Sequence, residues 1–121
     1  MNETEKLINY IDEQYDIVIT GEFIDLVKNW SIKTFGPGQR TQGILDHIKK
    51  EVKEVEQNPL DLEEWIDIML LAMNGAQRLG YTGNDIIDCL QRKVLENCQR
   101  SWPDWKTANT GEAITHIKTD E

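Results

Sequence analysis

The feature that most constrains this chain is a repeated acidic pair, Glu51-Val52-Lys53-Glu54 and Glu64-Trp65-Ile66-Asp67, with an Asn58-Pro59 break between the two. Each pair has i,i+3 spacing, which on an α-helix brings both side chains to one face. A turn this short makes the two helices antiparallel neighbours. Four acids then converge on one spot, where like charge opposes closeness unless a hard divalent cation with oxygen ligands intervenes. Magnesium held in this way suits phosphate chemistry, because the ion bridges protein carboxylates and phosphate oxygens.

Hydrophobic spacing supplies the helices. Ile44, Leu45, Ile48, Val52 and Val55 keep a 3.6-residue period, so a helix is predicted from about Thr41, as N-cap, to Gln57. Asp61 caps the next helix, with Glu64 in capping-box position. From Trp65 to Met73 the only polar residue is Asp67, which predicts a buried central helix and an aspartate in need of a partner. Leu7, Ile8 and Ile11 mark a first helix. Phe23, Val27 and Trp30 mark a second, after a break at Thr20-Gly21. Gly80 reads as a C-cap and Thr82 with Asp85 as an N-cap, before a helix marked by Ile86, Ile87, Leu90, Val94 and Cys98. Trp102-Pro103-Asp104-Trp105 ends that helix, with the two tryptophans as packing anchors for a short segment carrying Ile114 and Ile117. No repeat or βαβ alternation is visible. The expectation is an all-α bundle of four to five helices in one domain, 1–121.

At 121 residues the chain has room for one substantial core. A formal charge of −9 offers no basic stripe to a nucleic acid polymer, although a small anion carried by metal ions stays compatible. No stretch has the length and apolarity of a membrane span, and the start, Met1-Asn2-Glu3-Thr4-Glu5-Lys6, lacks a secretory pattern. A cytoplasmic location is the expectation. Cys89 and Cys98 lie nine residues apart on one helix, about 13 Å by helical rise, too far for an intrachain disulfide. They read as reduced thiols with packing roles.

Other side chains gain meaning from the acids. Lys93, Asn97 and Arg100 continue the Ile86-Leu90 stripe as two cations and an amide, a set suited to phosphate oxygens, or else a solvated rim. His47 precedes Glu51 by one turn and could orient it, or be structural. The Phe35-Gly36-Pro37-Gly38 loop has no Walker lysine and is not a P-loop. With Trp30 and Arg40, Phe35 could instead make the wall against which a base stacks.

In these motifs the sequence resembles the MazG-like all-α nucleoside triphosphate pyrophosphohydrolases, whose acidic signature corresponds to Glu51, Glu54, Glu64 and Asp67. Within that superfamily it is most similar to the dATP/dGTP diphosphohydrolase branch with its MazZ-type phage members. The carriers are Thr34-Phe35-Gly36-Pro37-Gly38, Asp46-His47-Ile48, Asp61 to Asp67 and Trp102-Pro103-Asp104-Trp105. The resemblance covers roughly residues 22–118 and leaves 1–21 as an N-terminal extension. Lys50 stands where the superfamily often has an additional glutamate. The resemblance implies hydrolysis of a purine deoxynucleoside triphosphate to the monophosphate and pyrophosphate, by water attack at the α phosphate. By the same analogy dGTP is the first-choice substrate and dATP a possible one. It further implies two or three magnesium ions on the quartet, replaceable by manganese, with Lys93 and Arg100 offsetting charge on the leaving group and Asn97 donating to an oxygen. A homotetramer or homodimer is expected. A non-catalytic helical interaction module, or a nucleotide sensor without turnover, is the competing expectation.

Overall fold

A computed structural model describes residues 1–13 and 19–118. They form five α-helices and no strand: α1 (Glu3–Glu13), α2 (Gly21–Phe35), α3 (Thr41–Gln57), α4 (Leu62–Gln77) and α5 (Gly83–Gln99), then a 3₁₀ turn at Trp105–Thr107. The all-α class is therefore as expected. The chain divides into two compact units, Met1–Ile87 and Asp88–Glu121. No described helix is long and apolar enough to cross a membrane.

In the first unit, the helix ends follow from side-chain chemistry. Thr20 caps α2, its Oγ1 accepting from the Phe23 N–H at 3.2 Å and sharing a 3.0 Å hydrogen bond with the Tyr10 hydroxyl. The Tyr10 and Phe23 rings stack at 6.0 Å, so the same corner ties α1 to α2. Gly36 ends α2 at φ +92°, and Gly38 follows at +89°, a left-handed backbone that side chains other than glycine's rarely tolerate.

Three of the expected helix ends differ. At the start of α3 the cap residue is Arg40, not Thr41, and it makes no side-chain cap bond. Its guanidinium reaches back to the Phe35 carbonyl at 2.9 Å instead. At the start of α4 Asp61 does cap, accepting from the Glu63 N–H at 3.0 Å, but its own N–H is taken by the Asn58 carbonyl at 3.1 Å. The expected capping box with Glu64 therefore does not close. Glu64 is left for another role. Thr82 and Asp85 do form that reciprocal motif, through bonds of 3.2 and 3.0 Å. Gly80, read as a C-cap, lies beyond the α4 cap residue Arg78, in the following turn at φ +93°.

The largest departure concerns α4, expected to be the buried centre. It packs against α3 and, more lightly, α2. Trp65 is 53% exposed, Met69 58% and Leu70 48%, and Asp67 is exposed as well. A helix apolar on every side has more oily surface than two neighbours can cover. The buried residues are instead Ile24 and Val55, with a polar set of Ser31, Gln77 and Arg78. The start of α5 seats on α2 through glycine, with Gly21 and Gly83 meeting backbone to backbone and the Gly83 N–H donating to Asp25 Oδ1 at 2.8 Å.

In the second unit Trp102 donates through Nε1 to the Asn97 carbonyl at 2.7 Å and meets His116 edge-on, an anchoring role as expected. Trp105, by contrast, is 71% exposed. The stretch with Ile114 and Ile117 forms no helix, and the Ile117 N–H donates to the Ser101 carbonyl. Cys89 and Cys98 are free thiols, exposed rather than packed.

A Cβ at Gly83 would collide with the Gly21 carbonyl, whereas one at Gly75 would meet nothing within 4 Å. Gly83→Ala is expected to lower stability by about 2 kcal/mol. Gly75→Ala should raise it by about 0.5–1 kcal/mol through helix propensity. Paired denaturant titrations of the two variants check both signs.

Candidate active site

The antiparallel packing of α3 on α4 brings the acidic motifs together. Oxygens of Glu51, Glu64 and Asp67 all lie within 4.8 Å of one another. Glu51 and Glu64 are half-buried, while Asp67 and Glu54 are exposed. Glu54, the fourth expected member, is outside this close triplet but near enough for its charge to act on Glu64. The Glu64 carboxyl is held above the ordinary carboxylate range, first by partial desolvation and then by the charges of Glu54, Asp61, Glu51 and Asp67. Three crowded carboxylates of which one resists ionising form an oxygen donor set that a hard divalent cation would satisfy. His47 supports one of them, its Nε2 lying 3.3 Å from Glu51 Oε1.

A cavity of about 550 Å³ opens beside the triplet, with Glu51, Asp67 and His47 on its wall. Trp30, Phe35 and Arg40, the three residues expected to form a base-stacking wall, all line it. Trp30 and Phe35 meet edge to face at 5.6 Å and 89°. Leu7 of α1 also lines it, so a helix that carried no expected function contributes to the cavity.

Sequence reasoning missed the far end of this cavity, where Ser31, Asn74, Gln77 and Arg78 form one polar network. Arg78 is only 8% exposed and faces no carboxylate among the described residues. Its guanidinium donates to the Gly36 and Gly38 carbonyls at 2.7 and 3.0 Å, to Ser31 O and Oγ at 3.2 and 3.0 Å, and from Nε to Asn74 Oδ1 at 3.0 Å. All five of its donors are thereby engaged. Gln77, wholly buried, donates to the Ile24 carbonyl at 3.1 Å. The available signal was three polar residues at i, i+3 and i+4 closing an otherwise oily helix, Asn74, Gln77 and Arg78.

In the second unit Lys93 and Asn97 lie on α5 and Arg100 lies one residue past its end at Gln99. Glu96, which sequence reasoning overlooked, gathers the cations: Lys93 Nζ and Arg92 Nη1 each lie 3.0 Å from its carboxylate, and Arg100 Nη2 lies at 3.9 Å. Arg100 also donates to Asn97 Oδ1 at 2.8 Å. The Glu96 carboxyl is accordingly held below its usual range, chiefly by the Lys93 hydrogen bond and charge.

An all-helical chain is what the resemblance to MazG-like hydrolases implied. The model of the dATP/dGTP pyrophosphohydrolase family matches residues 23–121, and the chain belongs to that family. It is a hydrolase, a nucleoside triphosphate pyrophosphohydrolase by family, with a nucleotide as substrate. No curated protein and no solved structure gives a significant match.

The raised Glu64 pKa has a definite sign. The folded chain binds this proton at a pH where the unfolded chain has released it, so stability falls as pH rises from the ordinary carboxylate range through the raised value. Without divalent metal, Glu64→Gln should melt at a higher temperature than the parent at pH 7, and the gap should close as pH drops below that window. Thermal melts across pH 4–8 in chelator read this out.

Proposed function

We propose that the chain hydrolyses a purine deoxynucleoside triphosphate, dGTP before dATP, in a magnesium-dependent reaction that yields the monophosphate and pyrophosphate. The observation that carries this reading is the convergence of Glu51, Glu64 and Asp67, two of which, Glu51 and Asp67, line the cavity walled by Trp30 and Phe35. Those three carboxylates, with Glu54 alongside, would hold the divalent ions, two or three of them, with manganese able to substitute. When bound, such ions carry phosphate charge and acidify water. His47 positions the Glu51 carboxylate through the 3.3 Å contact. The indole and phenyl rings take the base, and Arg40, at the same wall, is a candidate phosphate or sugar donor.

The reaction forms one bond from water oxygen to the α phosphorus and breaks the bond to the bridging oxygen, which departs with pyrophosphate. Lys93, Asn97 and Arg100 enter on their chemistry, as two cations and an amide able to offset charge on that leaving group. The Trp65, Met69 and Leu70 exposure on α4 supports assembly into a homo-oligomer, dimer or tetramer, since contiguous apolar surface of this kind is rare on a monomer.

Pyrophosphate release should be assayed across the common dNTPs and NTPs with and without magnesium. Release from dGTP is expected with the metal and not in chelator. Asp67→Asn and Glu51→Gln should each lower kcat by at least about 100-fold, and Lys93→Ala should lower kcat with little change in KM. Magnesium or manganese should raise the melting temperature of the parent but not of Asp67→Asn. No release from any nucleotide would overturn the proposal. For assembly, light scattering should give a multiple of the 14.0 kDa chain mass, and Met69→Glu should reduce it.

A further inference from the structure

The polar network at the inner end of the cavity leaves the Ser31 hydroxyl hydrogen without a partner among the described residues, as it does the second hydrogen of Gln77 Nε2. The Ile24 carbonyl can only accept, so Gln77 presents Nε2 to it and turns Oε1 toward Asn74. Arg78 Nε can only donate, so Asn74 presents Oδ1 to Arg78 and Nδ2 to Ser31. The amide orientations of Gln77 and Asn74 are thereby decided by partners that have no choice. Ser31 Oγ consequently accepts twice, from Asn74 Nδ2 at 2.5 Å and from Arg78 Nη2 at 3.0 Å. Both lone pairs are occupied, and the hydroxyl can act further only as a donor. Ser31 is 2% exposed, lines the cavity, and has no acceptor for that hydrogen among the described residues.

A ligand that displaces water from this hydroxyl must supply an acceptor in its place, because a buried donor left without one is unfavourable. Along α4, Asp67 and Asn74 are two turns apart, about 10 Å by helical rise. That separation leaves room for a sugar between phosphates at the acidic end and a base edge at Ser31. We propose that the Ser31 hydroxyl reads position 6 of the purine and selects a 6-oxopurine. Guanine presents an acceptor there, whereas adenine presents an amino donor, which would set donor against donor. A site organised around one such hydrogen bond rejects the mismatched partner more strongly than an apolar pocket can. The inference rests on the proposed nucleotide hydrolysis and adds its base selectivity.

The test compares kcat/KM for dGTP, dITP, dATP and 7-deaza-dGTP in the parent, Ser31→Ala and Ser31→Thr. dITP keeps the 6-oxo group without the 2-amino group, and 7-deaza-dGTP keeps the 6-oxo group without N7. The parent should favour dGTP, dITP and 7-deaza-dGTP over dATP. Ser31→Ala should lower the preference for the 6-oxo substrates over dATP by about tenfold in kcat/KM, mainly through KM, because the donor that favours one and opposes the other is gone. Ser31→Thr should restore much of the loss. An equal fall on all four substrates would make Ser31 merely structural and overturn the inference, as would a parent preference for dATP. A 7-deaza-dGTP rate that is low in the parent and insensitive to Ser31→Ala would assign the hydroxyl to N7 and also overturn it. If Ser31→Ala does not fold, the parent's dITP to dATP ratio still decides, since a ratio near unity excludes the reading at position 6. Base selectivity can thus fail while hydrolysis stands; a parent inactive on every nucleotide removes both.

Discussion

A single buried guanidinium organises the inner half of the first unit. Arg78 is a cation withdrawn from water without a described carboxylate to neutralise it, an arrangement tolerable only because oxygen dipoles take every one of its hydrogens. Those oxygens come from α2 at Ser31, from α4 at Asn74 and from the loop at Gly36 and Gly38. One side chain therefore sets the loop conformation, the approach of α2 to α4 and the polarity of the cavity end. The positive φ of Gly36 and Gly38 accompanies carbonyls that both accept from the same nitrogen.

The two ends of α4 are electrostatic opposites. Its first turns carry Glu64 and Asp67 into a crowd of like charges that raises the Glu64 pKa, while its C-terminal cap residue carries the saturated cation. Repulsion at one end is unresolved within the protein and fits a ligand charge of opposite sign. At the other end the charge is already satisfied, so what a ligand meets there is hydrogen-bond direction, not charge. The cavity between them, walled by Trp30 and Phe35, suits a molecule that is flat at one end and meets the acids through cations at the other.

Much of the plan was legible locally. Five helices, the break at Asn58-Pro59, the Thr20-Gly21 boundary and the Thr82–Asp85 motif depend on neighbours within a turn or two, and spacing reports such neighbours directly. The convergence of Glu51, Glu64 and Asp67 was legible for the same reason, since a short turn leaves little freedom in how two helices pair. Trp30, Phe35 and Arg40 were singled out by type, and packing gathered them on one wall. Burial was misread: the apolar run from Trp65 to Met73 suggested a core, but how many neighbours a helix has is not a property of its own residues.

What the chain order alone determined is the helical period, the capping chemistry and the charge crowding of the acidic hairpin, because each arises between residues close in sequence. What only the tertiary fold decided is the network of Ser31, Asn74, Gln77 and Arg78 with the loop carbonyls, which joins groups forty or more residues apart. The direction of each hydrogen bond there follows from which partner can donate and which can accept, and no partner is named until the helices have met.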